Sequence, residues 1–191
     1  ARGTYMARMA QASQDFVAPE PGSPDPFQNH FGLFTETDVD AALGDWLSKW
    51  PGVAAYLRSG GRDLDRDLAA HRAYGRHIAQ PYRKLPARWT HGDPHISNFM
   101  WEGSAPVSVI DFGLADRNTA LFDLVETLER NTIQFVDIMN GHDECCRADL
   151  AVAILRGYHR VRPLGSADLD LIAGMLPISQ SEAALNWIAY Y

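Results

Sequence analysis

The sequence predicts an α+β protein, mostly helical, with a small β insertion near its middle. Apolar residues recur at three- and four-residue steps through both flanks of the chain, which is the period of an amphipathic helix. Between residues 88 and 110 that period gives way to short β-type runs, with Gly103-Ser104-Ala105-Pro106 as the turn between the last two. The composition agrees: of 191 residues 46 % are hydrophobic and 21 % charged, enough apolar material for a substantial core and too much for disorder over most of the length.

Taken in order, Tyr5, Met6, Met9, Ala12 and Phe16 share one face of a first helix. Residues 18–29 carry Pro19, Pro21, Pro24 and Pro26 with Gly22 and Ser23, so backbone hydrogen bonding is broken and a surface loop is expected. Thr35 or Thr37 caps a helix bearing Val39, Ala42, Leu43, Trp46 and Leu47, which Pro51-Gly52 ends. A longer helix over residues 63–80 places Leu64, Leu68, His71, Tyr74 and Ile78 on one side and stops at Pro81. Strands are expected at residues 88–90, 98–102 and 107–110. The helical period returns after Gly113. Leu121, Leu124, Val125, Leu128, Phe135 and Val136 mark one helix, and Leu150, Ile154, Leu155 and Tyr158 a second. Ser166 caps a third with Leu169, Ile172 and Met175, which Pro177 interrupts before a terminal piece with Leu185, Trp187 and Tyr190. Residues 1–191 thus read as a single domain: helices and the Pro-rich loop over 1–86, the β insertion over 87–118 and a helical subdomain over 119–191.

Several function classes fall away on composition. The net charge is −7, from 24 acidic against 17 basic residues, and the cations form no concentrated stripe, so nucleic acid is not an expected partner. The longest clean apolar run, residues 150–155, is far short of the ~18 residues a membrane span requires, so no membrane partner is expected. No apolar signal-peptide core follows Ala1-Arg2-Gly3, which makes cytoplasm the expected location, and the start without Met suggests upstream sequence that is missing or was processed. Cys145 and Cys146 are adjacent, poorly placed for a mutual disulfide and too few for a metal cage. His71, His77, His142 and His159 stand alone on helical stretches, where packing accounts for them.

The chemistry concentrates in the insertion. It reads His91-Gly92-Asp93-Pro94-His95-Ile96-Ser97-Asn98 and then, after twelve residues, Asp111-Phe112-Gly113. One carboxylate stands at a strand end, an amide five residues on, and a second carboxylate at the end of the following hairpin. Three such oxygen donors suit Mg²⁺, a hard ion that prefers oxygen ligands together with water and substrate phosphates. A free carboxylate beside the ion can accept the proton of an attacking hydroxyl, which is what phosphoryl transfer needs. The alternating His91, Asp93 and His95 would also suit Zn²⁺ or Fe²⁺, although Asn98 and Asp111-Phe112-Gly113 have no part in such a centre.

Residues 91–98 resemble the catalytic loop of protein-kinase-like phosphotransferases, in the form found in the aminoglycoside phosphotransferase and choline kinase superfamily; Asp111-Phe112-Gly113 lies where that superfamily keeps its metal-binding motif. The resemblance implies the C-terminal, mainly helical lobe of a kinase-like fold, its small β-hairpin carrying the catalytic loop. It implies transfer of the γ-phosphoryl group of ATP (or GTP) to a hydroxyl of a small molecule such as an aminoglycoside or another metabolite. By position, Asp93 would be the catalytic base, Asn98 and Asp111 would hold Mg²⁺ and through it the nucleotide, and His91 would shape the loop. Asp123-Leu124 is similar to the superfamily's Asp-Leu that braces the loop from the next helix; Asp123 is equally explicable as a charge near a helix N-terminus.

Two departures refine the expectation. Protein kinases carry Arg where this chain has Gly92, and too few residues separate Gly113 from the helix near Ala120 for an activation loop, so the acceptor is expected to be a small molecule. The chain also has no G-x-G-x-x-G, and its only lysines, Lys49 and Lys84, lie outside any strand pattern. The nucleotide-binding N-terminal lobe is therefore expected to lie outside this sequence, these residues alone should bind ATP poorly, and a lobe without its partner invites self-association. The rival is a non-catalytic kinase remnant serving as a binding or scaffold protein. Asp137, Asp143, Glu144, Glu182, Trp187, Tyr190 and Tyr191 fall where the superfamily builds its acceptor pocket, though a solvated face or a helix core explains each singly.

Overall fold

A computed structural model describes residues 1–17, 32–60, 64–142 and 145–190. In chain order the elements are α1 (Arg2–Ala12), α2 (Val39–Lys49), α3 (Pro51–Arg58), α4 (Leu64–Arg83), β1 (Ala87–Thr90), β2 (Phe99–Glu102), β3 (Ala105–Val109), β4 (Asp116–Thr119), α5 (Ala120–Thr132), α6 (Phe135–Met139), α7 (Ala148–His159) and α8 (Ser166–Tyr190). The mostly helical α+β character is as expected. None of these helices is long and apolar enough to cross a membrane. By contacts the chain divides into two compact units, Ala1–Gln28 with Pro86–Asp168 and Asn29–Leu85 with Leu169–Tyr191.

The first unit is built on α1, α5 and α7. Met6, Ala7 and Ala10 of α1, Leu121, Leu124, Val125 and Leu128 of α5, and Ile154 and Tyr158 of α7 are its buried apolar residues. Gly3 lets α1 approach α7 closely, because a Cβ there would overlap the carbonyl of Ile154, and Thr4 Oγ1 donates to Gly157 O at 3.0 Å across the same contact. The β insertion forms two separate two-stranded antiparallel sheets, β1 with β4 and β2 with β3, rather than one hairpin. Strand β4, read from sequence as a connection, is wholly polar and carries no alternation to reveal it. Pairing decides it: Ala87 to Thr90 stand opposite Thr119 to Asp116, and Thr90 Oγ1 donates to Asp116 O at 2.8 Å. The bend from strand into α5 is fixed by Thr119, whose Oγ1 caps Phe122 N–H.

The second unit buries Leu33, Phe34, Val39, Trp46, Leu68, Ile78, Ala79 and Tyr82 with Leu171, Ile172, Met175, Ile178 and Leu185 of α8. His71 packs inside, its Nε2 donating to Leu33 O at 3.0 Å, and Leu33 N–H donates to Glu182 Oε2 at 2.6 Å.

Prolines account for most of the boundary corrections. Pro51 does not end α2 but opens α3 at its first position, where its fixed φ is already helical and no N–H is needed. Pro81 lies inside the last turn of α4, where one missing hydrogen bond is all it removes. Pro177 lies inside α8, whose flanking Met175 and Ile178 are fully buried; apolar burial of about 1.5–3 kcal/mol per side chain outweighs the proline's ~3 kcal/mol. The cap of α2 is Asp38, which accepts from the N–H groups of Asp40 and Ala41, not Thr35 or Thr37. The helix expected to run on to Val136 ends at Thr132 and resumes as α6, because Ile133 is extended and bridges to Cys146. The Pro-rich stretch 18–29 lies outside the described residues.

Candidate active site

The loop that leaves β1 turns immediately under α5. Asp123, in the first turn of α5, is only 4 % exposed and accepts two backbone bonds from the loop: His91 N–H to Oδ2 at 2.8 Å and Gly92 N–H to Oδ1 at 3.0 Å. Burial pushes this carboxyl up to about 6 while the two N–H donors pull the other way. It is therefore not a solvated charge at a helix end. Gly92 adopts φ +83°, and a Cβ there would strike the carbonyl of Leu114, so the position opposite the protein-kinase Arg is closed to side chains by the backbone itself.

His91 is 1 % exposed and its ring is held on three sides. Nδ1 accepts from Asp93 N–H at 3.2 Å and Nε2 donates to Ile110 O at 2.9 Å. A carbonyl only accepts and an N–H only donates, so the ring is neutral with its proton on Nε2. Phe112 covers it at 4.8 Å between centroids. With both nitrogens engaged His91 has no lone pair for a metal, and His95 turns its Nδ1 to Ser97 Oγ at 2.8 Å. Among the described residues no three His, Cys, Asp or Glu side chains converge on a metal position, which removes the Zn²⁺ or Fe²⁺ reading of His91, Asp93 and His95.

Asp93 and Asn98 meet directly. Asn98 Nδ2 donates to Asp93 O at 2.8 Å and to Asp93 Oδ2 at 3.2 Å, closing the 3₁₀ turn Ile96–Asn98 back onto the loop. Asn98 thus spends its amide N–H group on Asp93, and Oδ1 is the side-chain atom left to act as an oxygen ligand. Asp111 joins through the backbone: Ile110 N–H donates to Asn98 O at 2.9 Å, so the residue before Asp111 is tied to Asn98. Asp111 is exposed and holds the left-handed conformation at φ 64°, which Asp tolerates better than most residues. An amide oxygen and an exposed carboxylate are both hard-oxygen donors of the kind Mg²⁺ accepts beside phosphates and water, so Asn98 and Asp111 are the residues here that could hold it.

Sequence reasoning missed three charged residues of α5 beside this loop. Arg130 Nε lies 3.6 Å from Asp93 Oδ1, 3.6 Å from Glu126 Oε2 and 3.7 Å from Glu129 Oε2. Burial opposes the Arg130 charge, and the carboxylates of Glu129, Glu126 and Asp93 more than offset it, raising its pKa above the ordinary value. Asp123, Glu126 and Arg130 stand at i, i+3 and i+7 on one stripe of α5, but Thr127, Glu129, Asn131 and Thr132 are polar too, so the stripe does not stand out in the sequence. Of the residues placed in the acceptor region, Glu182 receives Leu33 N–H in the second unit and Asp137 receives Gln134 Nε2 at 2.8 Å. Asp143, Glu144 and Tyr191 lie outside the described residues, as do the side chains of Trp187 and Tyr190.

The model of the phosphotransferase enzyme family matches residues 4–164. The chain is also similar to two curated proteins named homoserine kinase. It is 31 % identical over 135 residues to that of Polaromonas naphthalenivorans, covering 70 % of this chain and 40 % of the relative. It is 31 % identical over 156 residues to that of Methylobacterium radiotolerans, covering 82 % of this chain and 40 % of the relative. The chain thus spans about two fifths of the length of the curated relatives it matches.

Proposed function

Because the chain belongs to the phosphotransferase enzyme family, we propose that the protein transfers the γ-phosphoryl group of ATP or GTP to a hydroxyl of a small molecule, with Asp93 as the general base. The observation that carries this is the Asp93–Asn98 contact on a loop tied to α5 by Asp123. The acceptor oxygen forms a bond to the γ-phosphorus, the bond from phosphorus to the β–γ bridging oxygen breaks, the nucleoside diphosphate leaves, and the hydroxyl proton passes to Asp93. Such a reaction depends chiefly on positioning and charge neutralisation, and the loop is built for positioning. His91 fixes the Asp93 backbone from one side, and Asn98 holds both the Asp93 carbonyl and its carboxylate from the other. Asn98 Oδ1 and Asp111 would hold Mg²⁺, which when bound neutralises phosphate charge. The kinship with proteins named homoserine kinase makes a hydroxylated amino acid the first acceptor to try and an aminoglycoside the second.

The test is a panel assay on the complete encoded protein, with Mg-ATP or Mg-GTP against homoserine, choline, aminoglycosides and sugars. One acceptor should be phosphorylated. Asp93→Ala should abolish that turnover, a loss of at least about 10²-fold, with the melting temperature near that of the wild type. Wild-type turnover by Asp93→Ala would remove Asp93 from the mechanism. Binding of Mg-nucleotide with no transfer to any acceptor would favour the non-catalytic remnant.

A further inference from the structure

We propose that Arg130 is the positioning residue of Asp93, reaching from α5 to hold the carboxylate oxygen that Asn98 leaves free; the inference rests on Asp93 being the general base. Asn98 Nδ2 donates to Oδ2 of Asp93, and Arg130 Nε faces Oδ1 at 3.6 Å. Each oxygen therefore has its own partner, and rotation of the carboxylate about its terminal bond is opposed by both. A base must present one lone pair to the acceptor hydroxyl, and a misplacement of about 1 Å can cost 10²-fold in rate.

Charge balance points the same way. Glu129 is 1 % exposed and Glu126 9 %, and both carboxylates lie at ion-pair distance from the one guanidinium. Replacing Arg130 by a neutral residue removes a positive charge that Asp93, Glu126 and Glu129 share and leaves like charges on the loop and on α5. Arg130 converts that repulsion into a hold on the loop. It completes a series of contacts by which α5 grips consecutive loop residues: Asp123 takes the N–H groups of His91 and Gly92, Arg130 faces Asp93, and Asn131 Nδ2 donates to Pro94 O at 3.2 Å. Asn131 is itself steadied by Arg2, whose Nη1 donates to its Oδ1 at 2.6 Å. No residue between His91 and Pro94 lacks a tie to α5, and only the tie to Asp93 is made by charge alone.

The experiment is steady-state kinetics of Arg130→Gln and Arg130→Lys in the complete encoded protein, with kcat, KM for nucleotide and acceptor, and melting temperature measured for each. Arg130→Gln should lower kcat by about 10- to 100-fold and leave both KM values within about twofold, because positioning of the base is felt in the transition state and not in binding. Arg130→Lys should recover most of the loss. Should Arg130→Gln fail to fold, the triple variant with Glu126→Gln and Glu129→Gln removes the two neighbouring negative charges as well, and its kcat should remain low. A kcat near the wild-type value in either, a loss carried by KM, or a loss that Lys leaves unrelieved would overturn the inference. Asp93→Asn run alongside separates the two proposals. At wild-type rate it overturns the base assignment and the Arg130 role with it; reduced while Arg130→Gln is unaffected, it overturns the Arg130 role alone. A wild-type protein inactive on every acceptor overturns both.

Discussion

Asp123 shows how one side chain carries both a structural and an electrostatic burden. Its carboxylate satisfies two backbone N–H groups that would otherwise be left without acceptors under α5, and it does so from a site that resists charge. Its folded-state pKa, about 6, stands above the ordinary 3.8. A raised carboxyl binds its proton more tightly in the folded chain than in the unfolded one. Its contribution to stability is therefore fully present below the ordinary value and is lost as pH rises through about 6. Measured against Asp123→Asn in urea titrations, the wild type should lose about 1.4 kcal/mol per pH unit across that window and run parallel above it. Parallel curves throughout would mean that the carboxylate is solvated. At this scale the sequence singled out His91, Asp93, Asn98, Asp111 and Asp123 as candidates, and the structure joins Asp93 to Asn98 and ties His91 and Gly92 to Asp123. Arg130 was not singled out, since a charged residue on a helix reads as solvent-facing until its neighbours are known.

Among the elements, α5 is the one on which the site depends, and its own placement depends on α1 and α7. Leu121, Leu124, Val125 and Leu128 anchor it in the first unit's core, which frees the stripe bearing Asp123 and Arg130 to face the loop. The tightest contact beneath it is that of α1 on α7 at Gly3. Gly3→Ala places a methyl group against the backbone of Ile154 and should destabilise the protein by about 1–3 kcal/mol, read as a lower urea midpoint at unchanged slope. An unshifted midpoint would show that the helices can separate without penalty. Elements with strong periodicity, α1, α5 and α7, were readable beforehand, whereas β4 was not. Its four polar residues pair only because β1 lies alongside, and even the nearest pair along the chain, Thr90 with Asp116, joins residues from different parts of the sequence.

For the molecule as a whole, the first unit is discontinuous in sequence, formed by Ala1–Gln28 together with Pro86–Asp168. All five residues expected at the site, and Arg130, belong to its second stretch, yet that stretch is packed on α1 from the first. Deleting residues 1–12 should therefore remove Met6, Ala7 and Ala10 from the core and abolish cooperative melting of this unit, followed by near-ultraviolet circular dichroism. Cooperative melting at the original temperature would show that α1 is dispensable.

By itself the sequence determined the helical class, the order of the chemistry-bearing residues and the kind of reaction they suit, because periodicity and residue type are local properties of the chain. Only the tertiary structure decided which nitrogen of His91 carries the proton, that Asp123 is buried, that Pro81 and Pro177 remain within helices, and that Arg130 faces Asp93. Each of those depends on partners distant along the polymer, whose burial and hydrogen bonding outweigh the local preference.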